Sequence, residues 1–310
     1  MAPSPSGMLV VDKPSGPTSH DVVSRVRRAL GTRTVGHAGT LDPMASGVLL
    51  VMIGECTKLS RYLTLERKSY EARVCLGVET DTLDAEGKET RRCELDAGWV
   101  EQLEGASRGA LPDRLAHALQ QERARTEQIP PAFSAIKQEG VRAYALARRG
   151  VEVAIPSRPV HVFELELIGA SPSTHELDFR MLVSKGFYVR SFARDLGLGL
   201  GLPAHLTSLR RTSTGDWTLE RAVPLDALKA DARLIPTAEV ARACMPSAKL
   251  TTQGARRAMW GQTLGDEDFL EAPAQSGPSV WFDENGALVA VGERIDGRPV
   301  VARGFVPGTV

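Results

Sequence analysis

The stretch from Gly36 to Gly47 (Gly-His-Ala-Gly-Thr-Leu-Asp-Pro-Met-Ala-Ser-Gly) packs three glycines, His37 and the carboxylate of Asp42 ahead of an apolar run. Glycines let a backbone approach a ligand closely, and loops held on a rigid scaffold are where sites usually sit. A carboxylate there has the chemistry of a nucleophile or base, although Asp-Pro by itself is more often an Asx-turn. The stretch Ser184–Ser191 combines basic and aromatic residues at a strand-to-helix junction. There Arg190 reads either as a surface charge or as a buried partner that keeps a carboxylate ionised and oriented. Tyr188 beside it fits simple packing equally well. Tyr70 falls on the apolar face of an alternating segment, as a core aromatic or as a platform for a displaced base.

Two further stretches carry less. Asp81 and Asp84 form a carboxylate pair in an acidic, turn-like region, with no base or metal ligand near them in sequence. They are expected in a solvated turn. Gly197-Leu-Gly-Leu-Gly201 lacks the spacing of a nucleotide-binding loop and follows a helix instead of a strand.

The surrounding pattern supplies elements to hold these residues. Met8–Val11 reads as a strand, and Ser19 as the N-cap of a helix through Val22, Val23, Val26 and Leu30, stopped by Gly31. Thr32–Pro43 reads as a loop and Val48–Ile53 as a buried strand, followed by a short helix capped by Thr57. Tyr70, Ala72, Val74 and Leu76 alternate with polar residues, as do Phe163–Leu167 and Leu177–Val183, the period of half-buried strands. Helices are expected over 97–126, broken near Gly109–Pro112, at Tyr144–Arg149, and around Phe192–Leu200. From Met245 onward short strands (Ser279–Asp283, Ala287–Glu293, Pro299–Arg303) alternate with Asn285-Gly286 and Asp296-Gly297, the chemistry of tight hairpin turns. Strands and helices do not alternate regularly enough for a doubly wound fold, so the class is α+β with a mixed sheet. The domain expectation is 1–244, then a small, mostly β domain over 245–310.

At 42% hydrophobic and 25% charged, the 310-residue chain has the composition of an ordinary globular protein. No apolar run reaches the roughly 18 residues of a membrane helix. The first residues have neither the basic nor the apolar region of a secretory signal, so a cytosolic protein is expected. Four scattered cysteines and six scattered histidines, without Cys-x-x-Cys or His-x-x-x-His pairs, predict no metal. The formal charge is zero, yet residues 1–68 carry net +4, 180–211 net +5 and 79–104 net −6. That asymmetry fits a positive face that tracks phosphates, and it fits ordinary solvated charge as well.

Taken together, the motifs resemble the bacterial tRNA pseudouridine-55 synthases, the TruB family. In order they are Leu9–Pro14, Gly36–Pro43, Lys68–Tyr70, Thr80–Asp84, Gln128–Lys137, Ser184–Arg190 and Leu209–Arg211. The similarity runs from about residue 8 to 240. Residues 97–126 fit the family pattern poorly, and the tail resembles the family's PUA domain only in its style of strands and turns.

The resemblance implies a mainly antiparallel sheet of pseudouridine synthase type with a PUA-like RNA-binding tail. It implies that a uridine in the tRNA T-loop, position 55, leaves its stack and is isomerised without a cofactor. Asp42 is then the catalytic carboxylate, Arg190 its partner, and Tyr70 the residue that stacks on the flipped base. Tyr188 and Leu209 line the pocket, and His37 supports the loop the uridine left. Lys13, Arg210 and Arg211 make phosphate or structural contacts. The implied partner is the T-arm of tRNA, with no membrane and no obligate protein partner, in a monomer. Against this stands an RNA-binding folding factor with little or no catalysis, but a pure binder has no use for a carboxylate that repels phosphate. A hydrolase using Asp42 as nucleophile would need a base to activate water, and no Asp/Glu–His pair lies near the motif. Guide-dependent pseudouridine synthases share the motif but usually carry extensions not seen here.

Overall fold

The computed structural model describes residues 5–64, 67–133, 137–138, 141–142 and 155–306. The helix expected at Tyr144–Arg149 lies outside the described residues. The chain forms two compact units. One comprises Asp42–Gly47 and Glu66–Gly215, the other Met1–Leu41, Val48–Leu65 and Asp216–Val310.

The Asp42-containing unit is built on a sheet in the order Val162–Ser171, Glu176–Val183, Lys68–Leu76 and Ala204–Thr214, each pair antiparallel. Ser46 and Gly47 then pair in parallel with Arg210 and Arg211. Alternation does what the sequence pattern predicts: Tyr70, Ala72, Val74, Leu177, Phe179, Met181 and Val183 turn to one face and are buried. The helix Val189–Leu200 packs there through Phe192, whose ring meets Phe179 edge-on at 5.2 Å. Gly197 lets this helix sit close, since a Cβ there would fall 2.7 Å from the Ala204 Cβ. Gly201 (φ 74°) ends it in the left-handed conformation. The expected helices over 97–126 are Ala97–Ser107 and Asp113–Arg123.

Several expectations are corrected. The strand Ala204–Thr214 was not foreseen, because its residues are largely polar and two register shifts interrupt its alternation. Phe163 does not join the apolar face. A register shift between Val162 and Glu164 turns it outward, where the Arg67 guanidinium lies 3.9 Å from its ring centroid.

In the other unit the helix Ser19–Ala29 is capped by Thr18, one residue before the expected Ser19. Thr18 and Asp21 form a reciprocal capping box, which frees Ser19 for another use. Part of the expected loop Thr32–Pro43 is the strand Val35–Ala38, antiparallel to the buried strand Ser46–Ile53. The segment after it is a 3₁₀ turn, Gly54–Leu59, running into the helix Ser60–Leu63.

The C-terminal β-rich domain is present as a five-stranded sheet. Its order is Phe269–Glu271, Ser247–Leu250, Ser279–Phe282, Leu288–Ile295 and Arg298–Gly304. Asp296 (φ 50°) and Gly297 (φ 77°) turn the last hairpin, as the sequence predicts. This sheet is covered on both faces. Trp281, Val289 and Ala290 pack on the helix Thr252–Met259 through Ala255 and Ala258. Val280, Phe282 and Leu288 share a core with Met8, Val10, Leu50 and Met52. Among the described residues no helix is long and apolar enough to cross a membrane.

Candidate active site

Asp42 opens a tight turn that the Ala45 N–H closes by donating to the Asp42 carbonyl at 3.1 Å. The chain is held on either side of the turn. Before it, the buried Ser19 hydroxyl donates to the Leu41 carbonyl (3.0 Å) and accepts from the Leu41 N–H (2.9 Å). After it, Gly47 (φ 102°) lies so close to the neighbouring strand that a Cβ would fall 2.1 Å from the Arg211 carbonyl oxygen. No larger residue fits there, so the glycine answers to backbone packing as much as to any ligand.

Arg190 is the second residue of the helix Val189–Leu200, after the N-cap Tyr188. The helix dipole disfavours a cation in this position, and the side chain is only 6% exposed, so its charge must be answered by neighbours. Its Nε lies 2.9 Å from Asp42 Oδ2, an ion pair by distance whose N–H is not aimed along that line. Its Nη1 donates to the Thr82 carbonyl at 3.0 Å and lies 3.5 Å from Asp84 Oδ2; its Nη2 donates to the Phe133 carbonyl at 2.9 Å. Four directions of contact leave the guanidinium one orientation.

Asp84 overturns the expectation of a solvated turn. Its side chain is 5% exposed, and Oδ1 accepts from the Thr82 hydroxyl at 2.6 Å and the Glu86 N–H at 3.1 Å. Leu83 is held at φ 62° between them, which folds the acidic segment back on itself. Asp81, in contrast, is exposed. Asp42 is 36% exposed, so the guanidinium joins one buried carboxylate to one that reaches solvent. Asp42, Pro43, Thr82, Asp84, Phe133 and Arg190 line a cleft of about 360 Å³.

The other sequence-predicted residues do not share one setting. Tyr70, Arg211 and Gly47 are register partners across three adjacent strands, which puts Tyr70 and the buried Arg211 on the face that the Val189–Leu200 helix covers. Leu209 shares that face two residues away, opposite Ala72. Arg210 points the other way, opposite Glu71, with Nη1 3.4 Å from the Ser46 hydroxyl. The pair Arg210-Arg211 therefore does not act as one basic patch. Tyr188 is half-buried, and its N–H donates to Gln128 Oε1 at 2.8 Å.

Lys13 and His37 belong to the other unit. Lys13 has no exposed surface, and its ammonium donates to the Pro14 and Pro17 carbonyls, both at 2.9 Å. Both of these contacts are to backbone carbonyls of its own segment. His37 lies on the strand Val35–Ala38, half-buried, with its ring edge-on to His20 at 5.4 Å. Sequence reasoning missed Asp84 as a neighbour of the Arg190 guanidinium and Gln128 as the acceptor of the Tyr188 N–H. No group of three or more His, Cys, Asp or Glu among the described residues is placed to hold a metal ion.

The fold is shared with solved Cbf5 and H/ACA RNP structures. The solved Cbf5-Nop10-Gar1 complex matches with TM-score 0.67 at 23% identity, over 97% of this chain and 85% of that one. An H/ACA RNP bound to a substrate RNA containing 2′-deoxyuridine matches with TM-score 0.64 at 22% identity, over 97% and 85%. The chain belongs to the TruB family of pseudouridylate synthases. The family's N-terminal domain matches residues 27–189, and the tRNA pseudouridylate synthase B C-terminal domain matches 190–245. It is 43% identical to tRNA pseudouridine synthase B of Thermobifida fusca (strain YX), over 95% of this chain and 97% of that protein. It is 40% identical to the protein of that name from Arthrobacter sp. (strain FB24), over 92% of each.

Proposed function

We infer that this chain isomerises uridine to pseudouridine in tRNA, at the T-loop uridine of position 55, as a stand-alone monomeric enzyme of the cytosol without a cofactor. The observation that carries this reading is the contact of Arg190 with Asp42 at one wall of a cleft, in a chain whose relatives are tRNA pseudouridine synthases. A partly exposed carboxylate held by a nearly buried guanidinium is a poor stability device but a well-oriented acid–base or nucleophilic group.

The target base must leave its stack before any side chain reaches its glycosidic bond. Asp42 then acts on the ribose or the uracil ring, the N1–C1′ bond breaks, the ring turns over and C5 bonds to C1′. The C5 proton leaves to solvent and N1 gains one, so atoms balance without an external group. Tyr70 stacks on the displaced base, Tyr188 and Leu209 line its pocket, and His37 supports the loop it vacated. Arg210 contributes to RNA contact, whereas Lys13 and Arg211 hold the scaffold. Residues 245–310 form a PUA-like RNA-binding domain appended to a catalytic domain of residues 1–244.

The test is to incubate the protein with T-arm transcripts carrying uridine or cytidine at position 55 and to map pseudouridine by chemical adduct and primer extension. An adduct-dependent stop one nucleotide 3′ of position 55, in the uridine transcript alone, is expected. Tight binding without a stop would favour a folding factor instead.

A further inference from the structure

We propose that Gln128 is a positioning residue for the proposed reaction: it caps the helix that carries Arg190 and so sets where that guanidinium meets Asp42. In a reciprocal capping box the third helical residue reaches back to accept from the N-cap N–H. Here the N-cap is Tyr188, whose side chain makes no cap hydrogen bond, and the third helical residue is Ser191. Ser191 is turned elsewhere and donates its hydroxyl to the Ile129 carbonyl at 2.8 Å. Gln128, 60 residues away in sequence, takes its place by accepting the Tyr188 N–H at 2.8 Å. The donor is a backbone N–H, so the amide must present its oxygen, and its orientation is fixed.

The other end of the same side chain explains why this is more than packing. Gln128 is 2% exposed, and its Nε2 finds no acceptor among the described residues. A buried donor left unpaired is costly, and a methionine would fill similar volume without that cost. The amide is justified by its oxygen. Gln128 also begins a strap that grips the first turns of the helix repeatedly. Ile129 O accepts from Ser191 and Arg194, and Phe133 O accepts from Arg190. Strap, cap and guanidinium form one connected unit, and Asp42 is its last member.

This inference rests on the proposed activity, so wild type is assayed beside the variants with tRNA labelled at uridine C5. Gln128→Met removes the acceptor, while Gln128→Glu keeps an acceptor oxygen and removes the amide donor. The expected result is a single-turnover rate about tenfold lower for Gln128→Met, the scale of one lost hydrogen bond. Its tRNA Kd should stay within about twofold of wild type on the same scale, and Gln128→Glu should recover most of the rate. Amide exchange in the peptide spanning Ser184–Phe192 should quicken in Gln128→Met alone. An unchanged rate in Gln128→Met, or a loss in Gln128→Glu as large as in Gln128→Met, overturns the proposal. If Gln128→Met does not fold, the rate of Gln128→Glu decides alone. A silent wild type sinks the activity itself, a different outcome from a silent variant.

Discussion

On the two sides of one sheet the same kinds of side chains serve opposite ends. On the outer face, Arg73 donates to Asp178 at 2.6 and 3.1 Å, with side chains 47% and 32% exposed, and Arg180 lies between Glu71 and Glu166. On the covered face, Arg190 meets Asp42 and Asp84 while almost wholly removed from water. The Arg73–Asp178 pair has the better hydrogen-bond geometry and the weaker claim to function. Water screens the outer pairs, and either partner can move away at little cost. The inner guanidinium is held by two carbonyls as well as two carboxylates, so its direction is determined before any substrate arrives.

Replacement across the two faces should separate these roles. Arg190→Ala should lower the rate of pseudouridine formation by about 10²-fold or more while tRNA Kd, read by filter binding, changes about threefold at most. It should also destabilise the fold by about 3–5 kcal/mol in urea, because Asp84 is left buried without its cation. Equal losses of rate and affinity would contradict the pairing. Asp84→Asn should act in the same sense but less, with a rate loss of about tenfold, since Asp42 still faces the guanidinium. Arg73→Ala should leave the rate unchanged and cost no more than about 1 kcal/mol of stability. A rate loss there comparable to that of Asp84→Asn would erase the distinction between the faces.

An effect confined to alkaline pH concerns Cys56, whose thiol burial pushes up to about 12 from the ordinary 9.0. The folded chain then keeps a proton that the unfolded chain releases. Its contribution is fully present below about pH 9 and is lost as pH rises from there toward 12, by up to about 1.4 kcal/mol per pH unit. Urea titrations of Cys56→Ala should lack this part of the alkaline slope. Thiol reagents should modify the exposed Cys93 well before Cys56 in the native protein.

What could be read in advance follows the same division between local pattern and long-range contact. Alternation exposed the strand bearing Tyr70, and helical spacing the helix that precedes the Asp42 loop, because each is a regular element with one apolar face. The cap at Thr18 lay one residue from the expected Ser19, since both are good cap residues and only the Asp21 contact distinguishes them. The strand Ala204–Thr214 was hidden because it is buried in mid-sheet with Arg211 facing inward, which a polar composition conceals. Its Thr207, Thr212 and Thr214 were the available β-branched signal. Asp84 was misjudged for a related reason. Its run of acids looks solvated, and the buried guanidinium that changes its meaning is 106 positions further along the chain. Gln128 stood within a recognised motif, but only the folded contact with Tyr188 gives its side chain a task.

The most direct test of the account is tritium release from tRNA labelled at uridine C5, with wild type, Asp42→Asn and Arg73→Ala side by side. The account predicts full release by wild type and Arg73→Ala, and a loss of at least about 10³-fold for Asp42→Asn with tRNA binding retained. Release by Asp42→Asn at a rate near that of wild type would contradict it, because the carboxylate held by Arg190 would then not be the group that performs the chemistry.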